Sequence, residues 1–289
     1  MLNRLLSVLV ALAVAAATVV AWAGESSKPD GAPERLPDLD QAAPYSLEIT
    51  RNRADGGYRL GFGSAVDNLG AGPLIISGRR PRGAVRTMTA DQLIERAGAP
   101  LAVVESVGRL RYVRSPDHAH WHLLAFESYE LRRPGEEAAV VNDRKTGFCL
   151  GDRYAVRRAR DLPRRPPNPV YTRRCGLGDT ARVALIQGIS VGYGDEYEPN
   201  LEGQSLSLKG VEDGRYLLVH RVNVDRAIRE SDYANNASSL LLRLRRQHGR
   251  PSVRVLRRCP ASARCAAPPP QQPAARLRTS PDWAATWWA

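Results

Sequence analysis

The chain has 289 residues, 43% of them hydrophobic, enough for a real core in one large domain or two small ones. Its formal net charge is +12, but the arginines are spread along the chain and no finger or RNP signature gathers them. That excludes nucleic acid as the main partner and leaves an anionic cell-surface or matrix partner as the reading of the charge.

The chain opens with Arg4, an apolar run from Leu5 to Val20, and Ala21-Trp22-Ala23. These are the charged, apolar and small-residue parts of a secretory signal over residues 1–23; the competing reading is a retained membrane anchor, for which the apolar run is short. The expected product is secreted or extracytoplasmic, with one positive charge fewer once Arg4 has left. Residues 24–35, with Pro29 and Pro33, read as a flexible leader.

From Leu36 onward the pattern is β. Leu47 and Ile49 alternate, as do Tyr58, Leu60 and Phe62, and a turn-rich Asp67 to Pro73 precedes the apolar Leu74-Ile75-Ile76. Thr89-Ala90-Asp91-Gln92 resembles a capping box, and the helix it predicts over 89–96 would be stopped by Gly98 and Pro100. Further predicted strands are 101–105, 110–113, 118–131, 138–141, 205–208, 215–224 and 238–244. Arginine and proline crowd residues 151–174, a long loop. Residues 259–289 read as a tail, disordered past Cys265, in which Trp283, Trp287 and Trp288 have no assigned role. The fold class expected is all-β: an antiparallel β-sandwich with long loops and one or two short helices, in a single domain over 36–258.

Four cysteines in an exported chain read as two disulfides. Of three connectivities, the local pair Cys259 with Cys265 leaves Cys149 with Cys175, the favoured arrangement. No Cys-x-x-Cys zinc ribbon is present.

Three of the five histidines fall in His118-Ala119-His120-Trp121-His122. In an extended strand residues two apart share a face, so His118, His120 and His122 converge while Ala119 and Trp121 point away. Neutral imidazole suits copper, zinc, nickel or iron, and three nitrogens leave coordination positions open for chemistry. His220 and His248 read as structural or solvated.

The choice of cation is informative. Of 42 Lys plus Arg, lysine stands only at 28, 145 and 209. Lys145 is thus a candidate for chemistry closed to arginine, because an amine can lose its proton and attack as a nucleophile. Downstream, Gly192-Tyr193-Gly194-Asp195-Glu196-Tyr197-Glu198 offers two tyrosines in a turn-prone stretch. Copper and oxygen can oxidise a tyrosine ring to a quinone, and a neutral lysine amine can add to it. A fourth motif, Glu230-Ser231-Asp232-Tyr233-Ala234-Asn235-Asn236, carries two carboxylates and two amides, hard oxygen ligands that suit calcium better than copper.

Together these motifs resemble the catalytic domain of the lysyl oxidase family, secreted copper amine oxidases, here as a member of microbial type. The likeness is expected to run from about Leu36 to about Arg245. The family's copper motif corresponds to His118, His120 and His122. Its cofactor lysine, just before Phe-Cys-Leu, corresponds to Lys145 ahead of Phe148-Cys149-Leu150. Its cofactor tyrosine, in an Asp-x-Tyr segment after Gln-Gly, corresponds to Tyr197 after Gln187-Gly188, which selects Tyr197 over Tyr193. The resemblance implies Cu2+ and a lysine tyrosylquinone made from Lys145 and Tyr197, acting with O2 on a primary amine or peptidyl lysine to give aldehyde, ammonia and hydrogen peroxide. It also implies a Ca2+ site in which Asp38 and Leu39 join Glu230, Asp232, Asn235 and Asn236. Asp195 is the candidate base. Departures are fewer cysteines than animal members, none beside the copper motif, and a longer, more basic loop between Cys149 and Cys175. The alternative reading is an extracellular copper-binding or interaction module that never forms the quinone.

Overall fold

Runs of alternating or wholly apolar residues separated by Gly, Pro and Asp turns bury their apolar faces by pairing into sheets and stacking them. The computed structural model describes residues 31–53, 55–83, 86–114, 119–144 and 147–265, with only the backbone of 143 and 144. The predicted signal, most of the leader, His118, Lys145 and the tail from residue 266 lie outside the described residues. The described residues from Ala32 onward belong to one compact unit.

The first strands are β1 (Glu34–Arg35), β2 (Leu39–Gln41), β3 (Tyr45–Arg51), β4 (Tyr58–Asn68), β5 (Leu74–Arg79) and β6 (Thr87–Arg96). Next come β7 (Ala99–Arg114), β8 (Ala119–Leu123), β9 (Glu127–Arg132), β10 (Ala139–Arg144), β11 (Tyr154–Ala155) and β12 (Ala184–Ile189). The last are β13 (Tyr193–Tyr197), β14 (Ser205–Ser207), β15 (Gly214–Val222), β16 (Ala237–Gln247) and β17 (Arg250–Cys259). Three antiparallel sheets result: β12-β5-β6-β7-β8 with β1 on β6, then β10-β9-β15-β16-β17, and β11-β13-β4-β14 with β2 and β3 also on β4. Their inner faces share one core, in which Phe62, Trp121, Tyr129, Tyr216, Leu74 and Leu240 are fully buried. Each such side chain contributes about 1.5–3 kcal/mol by leaving water.

The all-β expectation holds, with one element corrected. The predicted helix over 89–96 is strand β6, paired with β5 through Ile75↔Leu93 and with β7 through Leu93↔Val103. Its capping-box residues serve sheet chemistry instead: Asp91 accepts the Ser106 N–H at 2.9 Å and pairs with Arg79 at 3.1 Å. Gly98 forms the turn of a β6–β7 hairpin, with φ +69°, and Pro100 begins no break. A local helical signal lost to two flanking strands. Among the described residues the helical content is one 3-10 turn, Arg157–Ala159.

Other boundaries moved. The predicted strands 101–105 and 110–113 are one strand, β7. The predicted strand 118–131 is two, β8 and β9, separated at Ala125, whose φ is +57°. Both disulfides, Cys149–Cys175 and Cys259–Cys265, pair as expected. The second folds residues 259–265 back on β15 and β16, where Cys265 is buried with Leu217, Val219 and Leu241.

Candidate active site

Strand β8 carries His120 and His122 and lies at the edge of its sheet, paired with β7 through Val113↔His120 and Arg111↔His122. An exposed strand edge invites foreign pairing, and here two loop segments cover it. Leu123 exchanges backbone hydrogen bonds with Phe148 at 2.7 and 2.9 Å, the Trp121 N–H reaches the Cys175 carbonyl at 2.9 Å, and the Gly178 N–H reaches the Ala119 carbonyl at 2.7 Å. The Cys149–Cys175 disulfide joins the two covering segments.

Alternation along β8 sorts its side chains as the sequence predicts. Trp121 is fully buried, edge-on to Tyr112, with the Arg80 guanidinium over its ring and its Nε1–H donated to the Asp179 carbonyl at 3.0 Å. His120 and His122 sit together on the other face, ring centroids 4.6 Å apart. His122 is 2% exposed. Gly147 is required beside it: at φ +140° a Cβ would stand 2.5 Å from the Leu123 oxygen and 2.9 Å from His122 Cβ.

Tyr197 ends β13 and meets the same covering segment. Its hydroxyl accepts the Cys149 N–H at 2.9 Å and lies 3.1 Å from the Cys149 carbonyl, to which it donates. Its ring stands edge-on to Phe148, centroids 4.4 Å apart. Burial first, and then the negative charge of Asp195, hold the phenol well above the ordinary tyrosine value against the opposing Arg153, so it is protonated at neutral pH. Asp195, two residues earlier on the same face, is 2% exposed, and its Oδ1 lies 3.4 Å from Arg153 Nε. His122 and Tyr197 thus both meet residues 147–149, with His120 beside His122 and Asp195 on the Tyr197 face of β13. Among the described residues, no group of three or more His, Cys, Asp or Glu side chains is arranged to hold a metal, and the third expected imidazole, on His118, lies outside them.

A buried polar group that the motif reading passed over adjoins this site. Glu127 is 1% exposed, and its Oε2 accepts the Ser64 hydroxyl at 2.8 Å and the Tyr129 hydroxyl at 2.5 Å. Ser64 pairs with Tyr197 across β4 and β13, and Glu127 contributes to holding the Tyr197 phenol protonated. Ser64 Oγ spends its one hydrogen on Glu127 and receives Gln41 Nε2–H at 3.2 Å, so the contact with His220 Nδ1 at 3.2 Å has the ring nitrogen donating. His220 is wholly buried, pushed well below the ordinary histidine value by desolvation, and neutral. The available signal was an acid in the buried phase of a strand: Glu127, Tyr129 and Leu131 alternate in β9.

Five of the six residues expected to ligate calcium, Asp38, Leu39, Glu230, Asn235 and Asn236, meet at the start of β2, and Asp232 does not join them. Glu230 Oε2 accepts the Leu39 N–H at 3.0 Å, and its Oε1 accepts the amides of Asn236 at 2.5 Å and Asn223 at 2.6 Å. Asn235 Nδ2 donates to Asp38 Oδ1 at 2.8 Å. The amide oxygens of Asn235 and Asn236 are buried and have no hydrogen-bond donor among the described residues. Burial raises the Glu230 pKa, with the neighbouring amides opposing. Asp232 stands exposed, its Oδ1 accepting the Ala234 N–H at 2.7 Å.

The lysyl oxidase family model matches residues 108–252, half of the 289-residue chain. That span contains the histidine, lysine and tyrosine motifs and the Glu230 segment, while Asp38, Leu39 and the strands before residue 108 lie outside it. The chain is 29% identical to protein-lysine 6-oxidase of Sus scrofa over 132 residues, 45% of this chain and 46% of that protein. It is 30% identical to the protein-lysine 6-oxidase of Homo sapiens over 120 residues, 41% and 25% of the two chains. To lysyl oxidase homolog 1 of Homo sapiens it is 28% identical over 123 residues, 41% and 18%. The chain therefore spans less than half the length of these relatives.

Proposed function

Because the chain belongs to the lysyl oxidase family, we propose that it is an exported, copper-dependent amine oxidase that converts primary amines or peptidyl lysine to aldehydes. One observation supports this most: motifs far apart in sequence converge on the Phe148–Cys149 peptide, which pairs with the histidine strand on one side and holds the Tyr197 hydroxyl on the other.

The residues present fit the group this activity needs. His120 and His122 offer neighbouring imidazoles on one face of β8, and His118, one position before the strand, would complete the set. Lys145 stands two residues before Gly147, a stretch of chain that spans at most about 7 Å. When bound, copper with dioxygen would supply the oxidation that couples Lys145 to the Tyr197 ring and so the carbonyl with which a substrate amine condenses. The protein's own part is positional. The two Cys149 contacts fix the direction of the Tyr197 hydroxyl, and Phe148 fixes the ring plane. Asp195, on the Tyr197 face of β13 and steadied by Arg153, would take the proton from the carbon bearing the substrate nitrogen.

Calcium belongs to the same reading as a structural ion. Two buried amide oxygens without donors among the described residues, beside the carboxylates of Asp38 and Glu230, are what a hard cation satisfies.

Mass spectrometry of the copper-loaded, aerobic protein tests the proposal. A cross-linked peptide joining Lys145 to Tyr197 is expected, and Lys145→Arg should abolish peroxide release from amines. Persistent absence of the cross-link would leave a copper-binding or interaction module instead.

A further inference from the structure

One sheet face carries arginines that the amine chemistry does not use. Alternate residues of β15, β16 and β17 divide between two faces. Tyr216, Leu242, Leu244, Val253 and Val255 turn to the shared core, whereas Leu217, Val219 and Leu241 lie on the outer face, packed with the disulfide-closed segment 259–265. Arg215 and Arg243, each two residues from one of these leucines, share that outer face beyond the covered end. Register sets Arg215 opposite Arg243 and Arg243 opposite Arg254. Arg245 follows on β16 and Arg250 on β17, both in the same phase. All but the half-buried Arg243 are exposed.

Register and composition distinguish this patch from scattered surface charge. Like charges directly opposite on neighbouring strands destabilise a sheet, yet here three arginines stand abreast at the interstrand spacing of roughly 5 Å. None of the three strands contains an Asp or Glu. The ion pairs of these strands, Arg221 with Glu130 and Arg246 with Asp213, use other arginines. Arg215, Arg243 and Arg245 also line a depression of about 490 Å³, whose one acid among the described lining residues is Asp213, already held by Arg246 at 2.8 Å. The face therefore brings cations into register without their counter-charges.

What the face lacks narrows the partner. The aromatic residue of these strands, Tyr216, is fully buried, and the exposed large apolar side chains of the described residues all lie elsewhere. Nothing here stacks on unpaired bases or enters the acyl region of a lipid surface. Planar guanidinium forks grip oxyanions with paired hydrogen bonds, and forks set abreast need a chain with closely spaced anionic groups.

We propose that the outer face of β15–β17, at Arg215, Arg243, Arg245, Arg250 and Arg254, docks a linear sulfated polysaccharide. Docking there requires neither copper nor the Lys145–Tyr197 link, so this proposal and the oxidase reading can fail independently.

Titration of the metal-free protein with heparin at physiological salt tests it, with polygalacturonate, duplex DNA and phosphatidylserine vesicles as competing probes. Heparin is expected to bind at least about tenfold more tightly than the other three. Replacing Arg215, Arg243 and Arg254 together by glutamine should weaken heparin binding at least about tenfold and lower the slope of log affinity against log salt by about two to three. The same number of replacements at the exposed Arg157, Arg173 and Arg174 matches the change in net charge, and should leave affinity within about twofold. Because the first variant removes like-charge repulsion, its Tm should be no lower than that of the parent, which separates lost binding from lost folding. Arg245→Gln with Arg250→Gln, outside the row of three, should weaken binding independently. No heparin binding, equal or tighter binding of any other probe, equal losses in the two triple variants, or an unchanged salt slope would overturn it.

Discussion

Gly147 has no side chain, and the site depends on that. A methyl group there would meet the Leu123 carbonyl and His122 Cβ, in a backbone region reserved for glycine. Gly147→Ala is expected to cost about 1–3 kcal/mol, read as a lower urea midpoint, and to weaken copper binding in parallel by displacing His122. At Asp195, removing the charge while keeping the shape separates proton transfer from packing. Asp195→Asn should lower kcat by about 10²–10⁴-fold with intact copper content, and an unchanged kcat would reassign the role, with Glu127→Gln the next variant to assay. The histidine motif and the unusual lysine stood out in the sequence because residue type and spacing carry them, whereas the choice of Tyr197 came from the family resemblance. Glu127 was not legible, because an acid in an alternating strand shows its burial only when the partner strand is known. Ser64, which ties Glu127 to the Tyr197 strand, lies 63 residues away from it.

The elements around the site explain why some of the fold could be read and some could not. Strands β4, β5 and β15 carry strong alternating or apolar runs and were predicted. Strand β13 was read as turn-prone because Gly192 stands just before it and Gly194 within it, and β12 and β17 were passed over. What makes β13 a strand is its neighbours: Gly194 pairs with Asp67 of β4 on one side and Tyr154 of β11 on the other. The β6 strand shows the same override in reverse. The Cys149–Cys175 bridge closes a 26-residue separation, so replacing both cysteines by serine should remove about 3 kcal/mol and loosen the cover on β8, visible as faster amide exchange at Trp121 and Leu123. The clip between β2 and the Glu230 segment carries a pH signature. A carboxyl whose folded pKa is raised favours the protonated form, so in calcium-free protein the contribution of Glu230 is full below its ordinary value of 4.5 and is lost as pH rises through the folded value. Calcium, bound as proposed, would take the ionised form and reverse that loss. The gain in Tm on adding calcium should therefore be larger at pH 7 than near the ordinary value, and equal gains would remove the ion from this clip.

Across the whole molecule the charge is the dominant long-range term. At +12 the surface repels polycationic proteins and slows their encounter. Raising ionic strength should increase kcat/KM for a lysine-rich peptide and decrease it for an acidic one that contains a single lysine, because salt screens both effects. The same direction for both substrates would mean that net charge does not govern access. The all-β class and both disulfides were readable without coordinates, since composition and spacing act locally. The partition into three sheets was not, because it depends on which edges meet. The position of the histidine strand at one such edge has a consequence for the order of events in assembly. Strand β8 joins its sheet through β7 alone, and its other side is closed by loops that a disulfide ties together. The sheets can form before that seal exists. Folding, then thiol oxidation, then uptake of the proposed copper is the sequence this geometry favours, so a chain held in a reducing compartment should reach its β content yet meet copper with the histidine strand still unlatched.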